Sequence, residues 1–79
     1  MTIHFQKKSA RMEGVVGVEE AEGLLDWLQR HPDAKINLAS CTHLHAANLQ
    51  VLMALRPTLS VWPGDASLKL WLQAALPAY

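Results

Sequence analysis

Along the chain the spacing of apolar positions switches between two residues and three to four, and each switch marks a change of element. Thr2 to Gln6 alternates, with Ile3 and Phe5 on one side and His4 on the other, which predicts a strand with one buried face. Lys7 to Ala10 reads as a turn. Arg11 to Val16 holds Met12, Val15 and Val16 around Gly14 and predicts a second strand paired with the first, broken early by Gly14 and Gly17. Between Val18 and His31, the positions Ala21, Leu24, Leu25 and Leu28 form one helical stripe. Glu19, Glu20 and Glu22 lie near its start and Arg30 and His31 near its end, complementing the backbone dipole, and Pro32 cannot continue it.

Pro32-Asp33 predicts a turn, and Ala34 to Leu38 a short strand buried on both faces. A second helix is expected from about Ala46 to Arg56, with Leu49, Leu52 and Met53 on one ridge and Pro57 as its stop. Thr58 to Trp62, bracketed by Pro57 and Pro63, suits a strand at a sheet edge. Asp65 then caps a third helix in which Leu68, Trp71, Leu72, Ala75 and Leu76 share a face, so that Trp71 is expected in the core, and Pro77 ends it. The order is strand, strand, helix, strand, helix, strand, helix. Strands alternating with helices call for crossover connections, so the expected fold is α/β: a single small domain over residues 1–79 with a four-stranded, mostly parallel mixed sheet and three helices.

Composition narrows the function classes. The 79 residues are 51% hydrophobic, with seven Lys+Arg against seven Asp+Glu, so no electrostatic case exists for nucleic acid or an anionic membrane. The segment Ile36 to Leu55 lacks Lys, Arg, Asp and Glu, yet Asn37, Ser40, Thr42, His43, His45, Asn48 and Gln50 interrupt it, and direct membrane insertion is not expected. Met1 is followed by Thr-Ile-His-Phe, not by a basic segment and apolar signal core, and the single cysteine, Cys41, allows no internal disulfide, so a cytoplasmic setting is expected.

The segment Ile36-Asn37-Leu38-Ala39-Ser40-Cys41-Thr42-His43-Leu44-His45-Ala46-Ala47-Asn48-Leu49-Gln50-Val51-Leu52 resembles the central signature of the STAS family, the sulfate transporter and anti-sigma factor antagonist domains. That signature is a strand ending Asp-Leu, a short apolar link, Asp-Ser-Ser-Gly and an amphipathic helix. Asn37 and Leu38 fall on its Asp-Leu, and His45, Ala46, Ala47 and Asn48 on its Asp-Ser-Ser-Gly. Upstream, Met12-Glu13-Gly14, Glu20-Ala21 and Leu24-Leu25 are similar to the family's strand, glycine and first helix; the helices around Leu52 to Leu55 and Leu68 to Leu76 stand where its last two belong. In the family's antagonists a serine at the start of the second helix is phosphorylated, adding a charge of about −2 that switches partner release. Ala46 and Ala47 have no hydroxyl, so the resemblance implies a docking module that has lost this switch. It implies a non-catalytic, bacterial module, without cofactor, whose partner is another protein: a regulatory kinase, a transporter subunit or a sensory-pathway component. The expected partner-binding residues are His43, His45, Ala46, Ala47, Asn48 and Gln50, with Trp62 beyond the edge strand as a further contact; self-association through an edge strand, giving a homodimer, is another reading.

Cys41, His43 and His45 are spaced two apart, and in a regular strand they point the same way, so a thiolate and two imidazoles are a candidate metal site, with His4 as a further ligand. A small metal-binding or metal-sensing domain is therefore the alternative function. The helix start at Ala46 exposes unpaired N–H groups that suit an anion unless a neighbouring side chain takes them. Ser40, Ser60 and Ser67 lack a spaced base and orienting acid, and no glycine-rich phosphate loop or carboxylate pair exists, so no enzyme activity is expected.

Overall fold

The computed structural model of the chain describes residues 2–76. Strands β1 (Ile3–Phe5) and β2 (Ser9–Val16) lead through a short 3-10 turn, Val18–Glu20, into helix α1 (Ala21–Arg30); β3 (Lys35–Leu44), α2 (Ala46–Leu55), β4 (Thr58–Val61) and α3 (Ala66–Ala75) follow. The sheet order is β1-β2-β3-β4, with β1 antiparallel to β2 and the other pairs parallel, so the expected α/β architecture and its element order are as observed. Parallel pairing of β2 with β3 and β3 with β4 forces two crossovers in the same direction, which lays α1 and α2 on one face of the sheet, where they pack on each other. Pro77, the expected stop of α3, lies outside the described residues.

The core is the layer between sheet and helices. Ile3, Met12, Val16, Ile36, Leu38 and Leu44 from the strands meet Leu24, Leu28, Leu52 and Leu72 from the helices, all of them buried. The opposite face of the sheet is open and polar: His4, Arg11 and Glu13 cluster there, with Arg11 Nε 2.7 Å from Glu13 Oε1. Both side chains of that pair are nearly half exposed, so it contributes little to stability.

Several expectations need correction. The second strand is not broken at Gly14; it runs on to Val16, because Gly14 takes φ +63°, a left-handed value a glycine accepts without strain. The third strand runs past Leu38 to Leu44, and it is buried on one face only, since Lys35 is exposed and Asn37 half-buried. Its alternation is hidden by two bulges. Between Arg11↔Asn37 and Glu13↔Ser40, and again between Gly14↔Cys41 and Val15↔His43, β3 spends one residue more than β2. Each bulge resets which side chains face inward, so Leu38, Cys41 and Leu44 enter the core at three-residue spacing.

The helical stripes are also rotated from those expected. On α1, Trp27 is buried and Leu25 is exposed; the Trp27 ring lies 5.0 Å from Phe5 and stacks at 4.6 Å on His31, whose Nδ1 is 2.9 Å from the Trp27 carbonyl oxygen. On α2, Val51 joins Leu49 and Leu52 inside while Met53 faces out. On α3, Leu68, Leu72 and Leu76 repeat every four residues and form the buried ridge, which leaves Trp71 beside it, 41% exposed. A ridge with a four-residue repeat is narrower than the stripe read from the sequence, and the largest side chain at its margin is the one left outside.

Candidate functional site

The turn from β3 into α2 brings together the residues expected to bind a partner. His43 and His45 are exposed at the end of β3; Ala46 is exposed and Ala47 half-buried in the first turn of α2, and Gln50 stands exposed one turn beyond Ala46. His45 is the N-cap: its backbone is extended at φ −61°, ψ 145°, and its Nδ1 accepts the Ala47 N–H at 3.0 Å. One of the free donors that would suit an anion is therefore already occupied by the side chain beside it. The remaining outward positions of α2 are Met53 and Ala54, so the solvent side of this helix, Ala46, Gln50, Met53 and Ala54, bears no charge. The solvent side of α1, by contrast, carries Glu22, Asp26 and Arg30, with an Arg30–Asp26 ion pair at 2.6 Å.

One of the expected contacts is not on this surface. Asn48 is fully buried, and its Nδ2 donates to the carbonyl oxygens of Gly17 at 2.7 Å and Val16 at 3.4 Å, fastening α2 to the end of β2. It fills an inward position of the first helical turn, where an amide reaches the chain end that a glycine would have left open. Trp62 is half-buried and packs against the core cluster.

The second bulge separates the side chains of the metal alternative. Because Thr42 is the extra residue between the Cys41 and His43 pairings, Cys41 turns inward and His43 outward. Cys41 is 1% exposed, its Sγ donates to the His43 carbonyl oxygen at 3.5 Å, and burial pushes its thiol above the usual range, the backbone of His43 exerting a smaller opposing effect. A thiol held protonated in the core is a poor metal ligand. His4 faces Glu13 across the open sheet face, and among the described residues no three His, Cys, Asp or Glu side chains are grouped to hold a metal ion.

His43 takes part in a second feature that the sequence did not reveal. With Thr42 it forms one wall of a cleft of about 240 Å³ whose other wall is the start of α3: Asp65, Ser67, Leu68 and Trp71. Asp65 is the N-cap of α3, its Oδ1 accepting the Leu68 N–H at 2.9 Å. The cleft lies at the carboxyl end of β3, the side of an open parallel sheet on which ligands are usually received. A second cleft of similar size, lined by Lys7, Lys8, His31, Pro32, Asp33 and Ala34, lies before the starts of β2 and β3. His43, Asp65 and Ser67 share the first cleft, yet among the described residues no hydrogen bond joins their side chains, and Asp65 is engaged in the cap; a nucleophile–base relay needs such bonds. The signal for this cleft in the sequence was the Asp65 cap together with Trp71 flanking the four-residue ridge. Among the described residues, no helix is long and apolar enough to cross a membrane. The chain matches no protein-family model, no curated protein and no solved structure.

Proposed function

We propose that this chain is a non-catalytic, STAS-like interaction module of a bacterial regulatory or transport-accessory complex, acting in the cytoplasm, that docks a protein partner through the start and outer face of α2. The observation that carries this reading is the charge-free solvent side of α2, Ala46, Gln50, Met53 and Ala54, whereas the solvent side of α1 carries Glu22, Asp26 and Arg30 and that of α3 carries Lys69. Charged residues are depleted at the centres of interfaces and methionine is enriched there, because a charge buried by a partner without a counter-ion is costly. The small Ala46 and Ala47 side chains let a partner approach the helix backbone, while His43, His45 and Gln50 offer hydrogen bonds at the rim. The β-β-α-β-α-β-α order supports the STAS resemblance. With alanine at both positions that align with the family's serines, docking is constitutive and serine phosphorylation does not regulate it.

The test is retention of a partner from a lysate of the cells that encode the protein, with the wild type compared against Ala46→Arg and Ala47→Arg. A protein retained by the wild type and lost by both variants, at unchanged thermal midpoint, supports the reading. Equal retention by all three refutes it, as does failure of the wild type to retain any protein.

A further inference from the structure

The cleft between the end of β3 and the start of α3 has the composition of a receptor for a single cationic side chain. Its volume, about 240 Å³, is below the roughly 300–1,000 Å³ usual for small-molecule sites, which suits one side chain better than a whole ligand. Among its lining residues the only permanently charged one is Asp65; no Lys or Arg lines it, and among the described residues no cation lies within ion-pair distance of the Asp65 carboxylate. One carboxylate oxygen, Oδ1, accepts the Leu68 N–H, and the helix start contributes about half a positive charge, so the carboxylate keeps a net negative charge for a ligand. On the same wall Trp71 is 41% exposed although tryptophan gains most from burial, and it stands one helical turn beyond Ser67.

A carboxylate and an exposed indole lining the same cleft, with hydrogen-bonding groups on Thr42, His43 and Ser67, match the guanidinium group: planar, weakly hydrated, able to stack on tryptophan while its N–H groups reach an acceptor. We propose that this cleft receives an arginine side chain of the docked partner, stacked on Trp71 and paired with Asp65. The inference deepens the docking reading and rests on it for the source of the arginine, a protein segment lying across His43 from α2.

The test is an NMR titration of the 15N-labelled protein with N-acetyl-arginine amide and with its neutral isostere N-acetyl-citrulline amide. The Trp71 indole N–H and the Leu68 amide are expected to shift saturably with the arginine compound, and the citrulline compound to bind at least about threefold more weakly, the worth of one exposed charge contact. Asp65→Asn keeps an acceptor for the helix cap and is expected to abolish that preference; Trp71→Leu is expected to weaken arginine binding by about threefold to fivefold. Equal affinity for the two compounds, absence of a saturable shift, or shifts confined to the Trp27 and Trp62 indoles would overturn the proposal. Ala46→Arg separates the two readings, because it alters α2 and leaves the cleft intact. Arginine preference with partner retention unaffected by Ala46→Arg sinks docking through α2 alone, and retention lost in that variant without any arginine preference sinks the arginine cleft alone.

Discussion

Asn48 donates from Nδ2 to the Gly17 carbonyl oxygen at 2.7 Å, and this bond ties the first turn of α2 to the chain leaving β2. It joins the two ends that frame the docking surface, since the His45 N–H also donates to the Val16 carbonyl oxygen at 2.9 Å. Replacing Asn48 by Ala removes one of the two donors to the part-buried Gly17 oxygen, which keeps the Glu20 N–H at 3.2 Å, and is expected to cost about 0.5–1.5 kcal/mol. Asn48→Asp is expected to cost more, because a carboxylate would then face two carbonyl oxygens away from water. Urea midpoints of the two variants check the order; Asn48→Asp as stable as Asn48→Ala would contradict it.

Backbone sign at two positions predicts opposite effects. A Cβ added at Gly14 meets nothing within 4 Å, so the expected loss from Gly14→Ala, about 1 kcal/mol, comes from φ +63° alone, and Gly14→Asn should lose less. Arg56, which closes α2 at φ 48°, carries that strain already. Arg56→Gly is expected to raise the thermal midpoint, with a stability gain of no more than about 1 kcal/mol because glycine also loosens the unfolded chain.

Cys41 should react as a buried thiol. In native protein at pH 8 a disulfide reagent is expected to label it slowly, and in urea rapidly, with the labelling rate following the unfolded fraction. Because the folded state holds the thiol protonated above its ordinary range, the unfolded chain ionises first, and stability is expected to fall as pH rises beyond the usual thiol range. Cys41→Ala, which cannot ionise, should lose that part of the slope; an unchanged slope would refute the assignment.

The α3 cap is expected to separate shape from charge. Asp65→Ala removes the acceptor for the Leu68 N–H and should cost about 1 kcal/mol, whereas Asp65→Asn should stay within a few tenths. Helical content and the thermal midpoint measure both. A large loss in Asp65→Asn would show that the carboxylate charge, not its acceptor, holds the helix.

Element order and helix positions were legible from local pattern. Leu24 and Leu28, Leu49 and Leu52, and Leu68 and Leu72 mark their helices by spacing, and Pro32, Pro57 and the Asp65 cap bound them, because these signals act within one turn of chain. The far half of β3 was not legible. Its inward residues Leu38, Cys41 and Leu44 obey neither strand nor helix period, since the bulges that place them are defined only by pairing with β2.

The same division holds at the candidate site. The residues of the β3–α2 turn, and the absence of a phosphorylatable hydroxyl at Ala46 and Ala47, are properties of the sequence itself. Whether a side chain there faces solvent or the core was decided by tertiary structure: Asn48 turned inward to reach Gly17, Cys41 was separated from His43 by a bulge, and Trp71 was left lining one cleft with His43 once Leu68, Leu72 and Leu76 took the core. Periodicity specifies which residues share a face of one element, but the direction in which that face points is set by what the rest of the chain packs against it.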